Sequence, residues 1–380
     1  MPPRWVGPWE VLSVIGRGGV GTVYRARHRR TGDPAAVKLL GPAPAVDSTS
    51  ARRLAREFEA LRALVHPNVV EVYGAGVCEG YSWLAMELVE GLDLRTYLSP
   101  MALAASPIHE LSPREGEAAA EGAGAGGGPE GPVVAFDLDA WAREPATDAN
   151  LAQERRAETR GVDDIRAFAD LMEEPETAPD DSASWPLRGA PDALAAELSP
   201  DPPPPAALVE ELNRPERMAR LRSTVAEVLR ALDFIHARGF VHRDIKPSNI
   251  MVDDGRRARI MDFGLVKSLV DTNALTLSGR VVGTYRYMAP EQAAGGVVDR
   301  RADLWSMGVI LYELLAGRPP FRAQVPAELW REITEGEPAP LAELNAGVDR
   351  GLAAVVRRLL RKDPTERFQT AREALEQMEA

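Results

Sequence analysis

The hydrophobic periodicity of the chain changes once along its length, and this change limits the folds open to it. Residues 9–89 contain short strand-like runs broken by glycine clusters and turns, with one helical stretch at 49–65. From Arg217 onward, apolar residues recur at helical spacing, as at 303–316 and 371–379. Strands first and helices later favour an α+β fold in which a small β-rich lobe precedes a larger helical lobe.

A segment of different composition separates the two halves. Residues 100–215 are rich in Ala, Gly, Glu and Pro and hold 24 acidic and 8 basic side chains. Such a sequence cannot bury enough apolar surface to offset the entropy of ordering the chain. We therefore predict an insertion that is mostly disordered.

The rest of the composition excludes several classes of protein. A single cysteine, Cys78, cannot form an internal disulfide. The most apolar run, 304–315, is too short to span a bilayer and contains Glu313. Outside the acidic segment, 33 acidic and 37 basic residues nearly balance, without a basic patch. We predict a cytoplasmic protein with no membrane segment and no nucleic-acid partner.

A glycine-rich stretch lies between the first two strand-like runs. Gly16, Gly18 and Gly21 are followed by Val23. Glycines let a hairpin backbone close over a polyphosphate, because no Cβ keeps the N–H groups away from the phosphate oxygens. The alternative is a flexible hairpin. The stretch does not open a helix, which argues against a dinucleotide-binding fold.

Two further groups of residues carry phosphate chemistry. Lys38 ends a strand, where its ammonium can neutralise phosphate oxygens, and Glu57 in the next helix is the candidate carboxylate to hold it. Asp244 can accept a hydroxyl proton, and Lys246 can hold a transferred phosphate. Asn249, in the same run, and Asp262, which begins Asp-Phe-Gly, are candidate ligands for a divalent cation.

These motifs, in this order, resemble the eukaryotic-type (Hanks-type) Ser/Thr protein kinase family, in its bacterial branch. The resemblance covers residues 9–98 and about 216–379. It implies a bilobal fold with an N-lobe at 9–89 and a C-lobe at 90–99 and 216–379. The 100–215 insertion then interrupts the C-lobe.

The resemblance also implies a role for each site residue. Asp244 is the expected catalytic base, Lys246 steadies the γ-phosphate, and Lys38 contacts the other phosphates while pairing with Glu57. Mg²⁺, with Mn²⁺ as an alternative ion, is expected on Asn249 and Asp262. The expected ATP contacts are Ile15, Gly16, Gly18, Gly21, Val23, Ala36, Lys38, Met86, Glu87, Val89, Asp93 and Met251.

The expected substrates are Ser and Thr hydroxyls of proteins. Lys246, together with Gly283-Thr284, is similar to the pattern of Ser/Thr kinases rather than that of tyrosine kinases. The segment before Thr284 offers Thr276 and Ser278 as sites of activating autophosphorylation.

The resemblance further implies two structural contacts, one between Glu291 and Arg367 and one between Asp303 and the backbone of the catalytic loop. The leading alternative is a pseudokinase scaffold, which usually lacks one of Lys38, Asp244 or Asp262. A small-molecule phosphotransferase would not need the Ala-Pro-Glu element that ends at Glu291.

Two interpretations of the insertion stay open. It is either a surface loop that the fold tolerates or a segment that docks a partner or the kinase itself. The sequence gives no prediction of the oligomeric state.

Overall fold

The structure is a computed structural model that describes residues 3–18, 21–42, 58, 61–78, 81–99, 204–262 and 285–380. An antiparallel sheet of six strands forms its N-terminal part. Its strands lie in the order β1-β2-β3-β4-β6-β5. They are β1 (Trp5–Val6), β2 (Trp9–Gly18), β3 (Gly21–His28), β4 (Pro34–Pro42), β5 (Val72–Cys78) and β6 (Tyr81–Met86).

The two faces of this sheet bury different apolar clusters. Strand β4 shows the alternation, because Ala35 and Val37 pack into one cluster and Ala36 packs into the other. The first cluster is centred on Trp9 and Trp83 and holds the sheet together. The second, around Ala36 and Met86, faces the C-terminal part of the chain.

The C-terminal part is mainly helical and carries a small sheet of its own. Strands β7 (Gly91–Asp93), β8 (Ile250–Asp253) and β9 (Ala258–Ile260) pair antiparallel in that order. The helices are α1 (Leu94–Tyr97), α2 (Ala206–Leu212), α3 (Pro215–His236), α4 (Pro290–Ala293), α5 (Arg301–Ala316), α6 (Pro326–Thr334), α7 (Leu341–Leu344), α8 (Arg350–Leu359) and α9 (Ala371–Glu379).

Helix α5 is the centre of this part of the fold. Nearly all of its residues are buried, as expected for a helix that is apolar on every side. Its Trp305 is fully buried and stacks on Phe321, with ring centroids 5.8 Å apart. Lys362 lies over both rings and donates to the last carbonyls of α6. Helices α2, α7 and α8 pack directly on α5, while α9 packs on α3 and α8.

Arg217 joins the two sides of the predicted insertion. Its buried guanidinium donates to the carbonyl oxygens of Leu98 (2.8 Å), Leu212 (2.8 Å) and Leu314 (2.7 Å). Burial, together with the nearby Arg220, lowers the pKa of Arg217 to about 10, so it remains a cation at neutral pH. One side chain therefore fixes α1, α2 and α5 to each other.

Within the described residues the predicted order of strands and helices is confirmed, with small shifts at the ends. Most of the helical stretch predicted at 49–65 lies outside these residues. The kinase-like arrangement of a curled sheet followed by a helical lobe is present. Helix α2 was missed, because its residues were assigned to the acidic segment by composition. Its Leu212 is buried and α2 packs on α5. Residues 100–203 lie outside the described residues, and the lobe boundaries stay predictions.

None of the helices in the described part of the chain combines the length and the apolar composition that a bilayer crossing needs.

We predict that Arg217→Met lowers the free energy of unfolding by about 3 to 5 kcal/mol, because three buried carbonyls lose their donor while the side-chain volume is kept. Urea denaturation followed by far-UV circular dichroism measures the change. The control is Arg230→Met on the same helix, where a half-exposed guanidinium pairs with Glu379 at 3.1 Å. There we expect less than about 1 kcal/mol. Equal losses in the two variants would contradict the assignment.

Candidate active site

Asp303, at the start of α5, fixes the backbone of the catalytic loop (residues 242–249). Its fully buried carboxylate accepts from the backbone N–H groups of His242 and Arg243, both at 2.8 Å. The same carboxylate lies 2.8 Å from the imidazole Nε2 of His236. A carboxylate that accepts several N–H bonds is well satisfied when buried, and each bond restricts the loop. The predicted contact of Asp303 is confirmed.

The catalytic loop gathers three of the predicted residues around one carboxylate. Asp244 Oδ2 accepts from Lys246 Nζ at 2.8 Å and from Asn249 Nδ2 at 3.1 Å. Asn249 also donates to the Asp244 carbonyl at 2.8 Å, which closes the loop on itself. The Asp244 side chain remains 15% exposed. It is thus held in one orientation and still open to a hydroxyl group.

Lys38 and Asp262 meet across the two parts of the fold. Lys38 Nζ lies 2.8 Å from Asp262 Oδ2, and both side chains are largely buried. The Met261 amide donates to the Asn249 carbonyl at 2.9 Å, which places Asp262 beside the catalytic loop. Strand β4 therefore places the Lys38 ammonium against the Asp262 carboxylate, beside the loop that carries Asp244. The structure thereby brings together Lys38, Asp244, Lys246, Asn249 and Asp262.

Two residues of the site adopt a left-handed backbone conformation. The φ angles are 63° at Arg243 and 55° at Asp262. Non-glycine residues rarely adopt positive φ, and such strain persists only where surrounding contacts enforce it. Here the contacts are the Asp303 bond to Arg243 and the Lys38 bond to Asp262. The strain lies directly before the predicted base Asp244 and at the predicted metal ligand Asp262.

His242 links the catalytic loop to the Asp262 segment. Its fully buried ring places Nε2 2.9 Å from the Met261 carbonyl. Burial lowers the pKa of His242, so the ring is neutral near pH 7. A neutral ring that donates from Nε2 leaves Nδ1 as an acceptor, and Nδ1 lies 3.3 Å from the Asp244 amide. No function was predicted for His242, although its position two residues before Asp244 was a usable signal.

An apolar cluster adjoins these polar residues. Ala36, Val70 and Met86 are buried, and partly buried residues packed against them include Val23, Val89 and Met261. Ala36 and Met86 are direct neighbours in the pairing of β4 with β6. This is the expected environment for a flat, apolar ring. Val70 and Met261 were not predicted here.

Ile15 and Met251 lie outside this cluster. Ile15 is 50% exposed on β2, and Met251 is half-buried and pairs with Asp93 and Arg259 across the small sheet. Asp93 caps helix α1 by accepting from two backbone amides. Contacts from these three residues to a nucleotide stay predictions.

The hinge between the two parts offers free backbone groups. Glu87 uses its amide to bond the Glu71 carbonyl at 2.9 Å and its carboxylate to bond Arg259 at 2.7 Å. Within the described residues, the Glu87 carbonyl and the Val89 amide have no backbone hydrogen-bond partner. A donor and an acceptor beside an apolar cluster suit a heteroaromatic ring that is itself a donor and an acceptor.

Gly21 shows why the glycine-rich stretch needs glycine. Its φ is 154°, and a Cβ there would lie 2.1 Å from the Leu39 carbonyl oxygen. A Cβ on Gly16, in contrast, would have no atom within 4 Å, so the space beside Gly16 is open. Gly18 ends strand β2. The hairpin of β2 and β3 therefore packs closely on β4 at Gly21 and leaves open space beside Gly16.

The oxygen ligands present fit a hard divalent cation. Among the described residues, no three His, Cys, Asp or Glu side chains converge as a metal site. Asp262 and Asn249 supply one carboxylate and one amide oxygen on adjacent segments. Mg²⁺ is usually held by one or two such groups together with phosphate and water, so this set fits Mg²⁺ better than a metal that needs several protein ligands.

Several predicted residues lie outside the described residues. They are Glu57, Thr276, Ser278, Gly283 and Thr284. The structure tests neither the Lys38–Glu57 pair nor the phosphorylation sites.

The predicted Glu291–Arg367 contact is confirmed as two parallel bonds of 2.7 Å each, on an arginine side chain with no exposed area.

The chain matches the family model described as the protein kinase domain over residues 9–114 and 207–378. It is 40% identical over 149 residues to the serine/threonine-protein kinase PknB of Mycobacterium leprae, covering 39% of this chain and 24% of that protein. It is 27% identical over 386 residues to the probable serine/threonine-protein kinase SCO3848 of Streptomyces coelicolor, covering 100% of this chain and 40% of that protein. The chain thus spans a quarter to two-fifths of these relatives.

Solved structures of similar fold include the PknI kinase domain of Mycobacterium tuberculosis. A double mutant of that domain gives a TM-score of 0.54 at 22% identity, over 98% of this chain and 95% of that one. A second crystal structure of the domain gives 0.52 at 23% identity, over 99% and 96%. At this identity the likeness supports the fold.

We predict that Asp303→Asn speeds amide hydrogen exchange at His242 and Arg243 and lowers the free energy of unfolding by about 3 kcal/mol. The amide side chain has one acceptor oxygen where the carboxylate has two, so a buried N–H loses its partner. Exchange mass spectrometry on a peptide that covers both residues measures the change. The control is Asp233→Asn, which loses a surface pair with Arg372. Unchanged exchange in Asp303→Asn would refute the role of the carboxylate.

Proposed function

The chain belongs to the protein kinase domain family, and we propose that it is a Ser/Thr protein kinase that transfers the γ-phosphate of ATP to Ser and Thr hydroxyls of proteins. The observation that carries the proposal is the fixed orientation of the Asp244 carboxylate. Its carboxylate is oriented by Lys246 and Asn249 and lies beside the Lys38–Asp262 pair. A proton acceptor and a phosphate-binding cation are thus positioned for one reaction.

In the proposed reaction, a substrate hydroxyl oxygen forms a bond to the γ-phosphorus, and the bond from that phosphorus to the β–γ bridging oxygen breaks. The electron pair of the broken bond leaves with ADP, and Asp244 accepts the hydroxyl proton. Lys246 neutralises charge on the transferred group. Lys38 binds the remaining phosphates, which requires that it exchange part of its contact with Asp262 for phosphate oxygens.

Asp262 and Asn249 would hold Mg²⁺, with Mn²⁺ as an alternative ion. When bound, the ion supplies positive charge that offsets the charge of the phosphates. The apolar cluster of Ala36, Val70 and Met86 would receive the adenine ring, with the free Glu87 carbonyl and Val89 amide as its polar partners. Gly16, Gly18 and Gly21 would cover the phosphates.

Catalysis is favoured over a pseudokinase scaffold because Lys38, Asp244 and Asp262 are all present and in contact with partners suited to catalysis. Ser/Thr rather than Tyr substrates are proposed from Lys246 and from the names of the relatives. The Glu291–Arg367 pair supports a peptide substrate over a small molecule, because it fixes the segment next to the catalytic loop.

Activation by autophosphorylation at Thr276 or Ser278 forms part of the proposal. Arg243 supports it, because its side chain is exposed beside Asp244 and makes no ion pair within the described residues. A phosphate would add a charge of about −1.5 to −2 that this guanidinium can bind.

We also propose a cytoplasmic location, consistent with the use of ATP, and a docking role for residues 100–215.

We expect purified protein with Mg·ATP to phosphorylate itself or a protein substrate on Ser or Thr, and Asp244→Asn to lower the rate by at least about 100-fold with nucleotide affinity retained. Phosphopeptide mass spectrometry locates the phosphate, and calorimetry measures binding. Lys38→Met tests the other half of the site, because we expect it to weaken ATP binding as well as transfer.

Two results would count against the proposal. Binding of ATP with no transfer to any substrate would favour the scaffold alternative. Equal transfer by wild type and Asp244→Asn would exclude Asp244 as the base. Asp254→Asn, in the turn between β8 and β9, is the control and should behave like wild type.

A further inference from the structure

Three side chains form a charged cluster between α1 and α5. Arg95 Nη2 donates to the Tyr287 hydroxyl oxygen at 2.8 Å and lies 2.5 Å from Glu313 Oε1. The Tyr287 hydroxyl in turn donates to Glu313 Oε2 at 2.7 Å. Burial and the nearby Glu313 raise the pKa of Tyr287, so its hydroxyl stays protonated. Both oxygens of Glu313 are therefore occupied by groups of this chain.

The cluster lies beside the catalytic loop. Helix α1 packs against the turn Pro247–Asn249, which follows Asp244. On the other side, Gln292 donates to the Arg243 carbonyl at 3.2 Å and ties the segment of Tyr287 to the loop. In this inference, a polypeptide that places a hydroxyl on Asp244 crosses the surface beside the catalytic loop, where these elements lie. Residues next to its Ser or Thr would then pass near Arg95.

Only one nitrogen of the Arg95 guanidinium makes hydrogen bonds within the described residues. Both of its bonds are made through Nη2, and within the described residues Nε and Nη1 have no hydrogen-bond partner. The Arg95 side chain is 60% exposed, whereas that of Glu313 is 16% exposed. A guanidinium with free N–H groups is suited to a carboxylate, which it can bind with two parallel bonds. The shielded Glu313 is closed to a competing cation.

We propose that Arg95 is a specificity-determining residue, which favours protein substrates with an acidic side chain near the phosphorylated Ser or Thr and disfavours basic ones. This inference rests on the proposed kinase function. Glu313 and Tyr287 position the guanidinium, so the preference depends on the cluster and not on the net charge of the protein. Without Arg95, the Glu313 carboxylate is left without its cation and becomes a site for a basic side chain.

The test uses peptides that are identical except for one residue on either side of the acceptor, set to Glu, Ala or Arg. For wild type we expect the kcat/KM ratio of the Glu peptide to the Arg peptide to be about fivefold or more, mainly through KM. Arg95→Ala should bring this ratio to one or below, because Glu313 is then exposed. Arg95→Lys should keep part of it, since the charge remains but the fork of donors is lost.

Arg372→Ala is the matched control. Arg372 is also a well-exposed arginine in an ion pair, at 2.9 Å from Asp233, but it lies on α9. We expect its Glu-to-Arg ratio to equal that of wild type. The Ala peptide reports the basal activity of each variant, so a general loss of folding is separated from a change of preference.

Each outcome bears on a distinct claim. An acidic preference that Arg95→Ala abolishes, with activity on the Ala peptide kept, supports the inference. Transfer to all peptides with no charge preference in wild type, or a ratio that Arg95→Ala leaves unchanged, overturns the inference and leaves the kinase function standing. No transfer to any peptide overturns both.

Discussion

The bond between the buried Asp303 carboxylate and the backbone of the catalytic loop is the constraint on which the site depends. A carboxylate without exposed area is costly unless its oxygens are satisfied, and here three N–H groups are available within 2.8 Å, two from the loop backbone and one from His236 if its Nε2 carries the proton. The stability of the helical core around α5 is thereby coupled to the position of His242 and Arg243. The loop that carries Asp244 is held by the most buried helix of the fold.

The remaining site contacts extend from this anchor. His242 passes the constraint to the Met261 carbonyl, and the Met261 amide bonds Asn249. Asp262 follows directly and meets Lys38 from the sheet. The Glu291–Arg367 pair and Gln292 fix the segment on the other side of the loop. The proposed phosphoryl transfer needs little covalent participation by the protein, so such rigid positioning of charges would be the main contribution of these residues.

The sequence predicted the fold and most of the site because the relevant residues occur in short motifs whose spacing carries the chemistry. Lys38, Asp244, Lys246, Asn249 and Asp262 were all identified, and the structure brings them together. Contacts between distant segments were predicted only where the family resemblance implied them, as for Glu291 and Arg367. The Lys38–Asp262 bond joins residues far apart in the chain, and only the fold reveals that these two side chains meet.

Other features could not be predicted because they depend on packing rather than on a pattern. Helix α2 has the composition of its acidic surroundings, and only the burial of Leu212 and its bond to Arg217 show that it belongs to the core. The Arg95 cluster likewise joins two helices and a loop, none of which shows an unusual sequence. Single arginines and glutamates occur throughout the chain, so the cluster has no local signal.

The most direct test of the account is a crystal structure of the protein with Mg²⁺ and a non-hydrolysable ATP analogue. The account predicts phosphate oxygens on Lys38, the ion on Asp262 and Asn249, and the adenine ring against Ala36 and Met86. Asp244 should remain free of the nucleotide, with its carboxylate still held by Lys246. A nucleotide bound elsewhere, or bound here with no ion on Asp262, would contradict the assignment of this cleft to phosphoryl transfer.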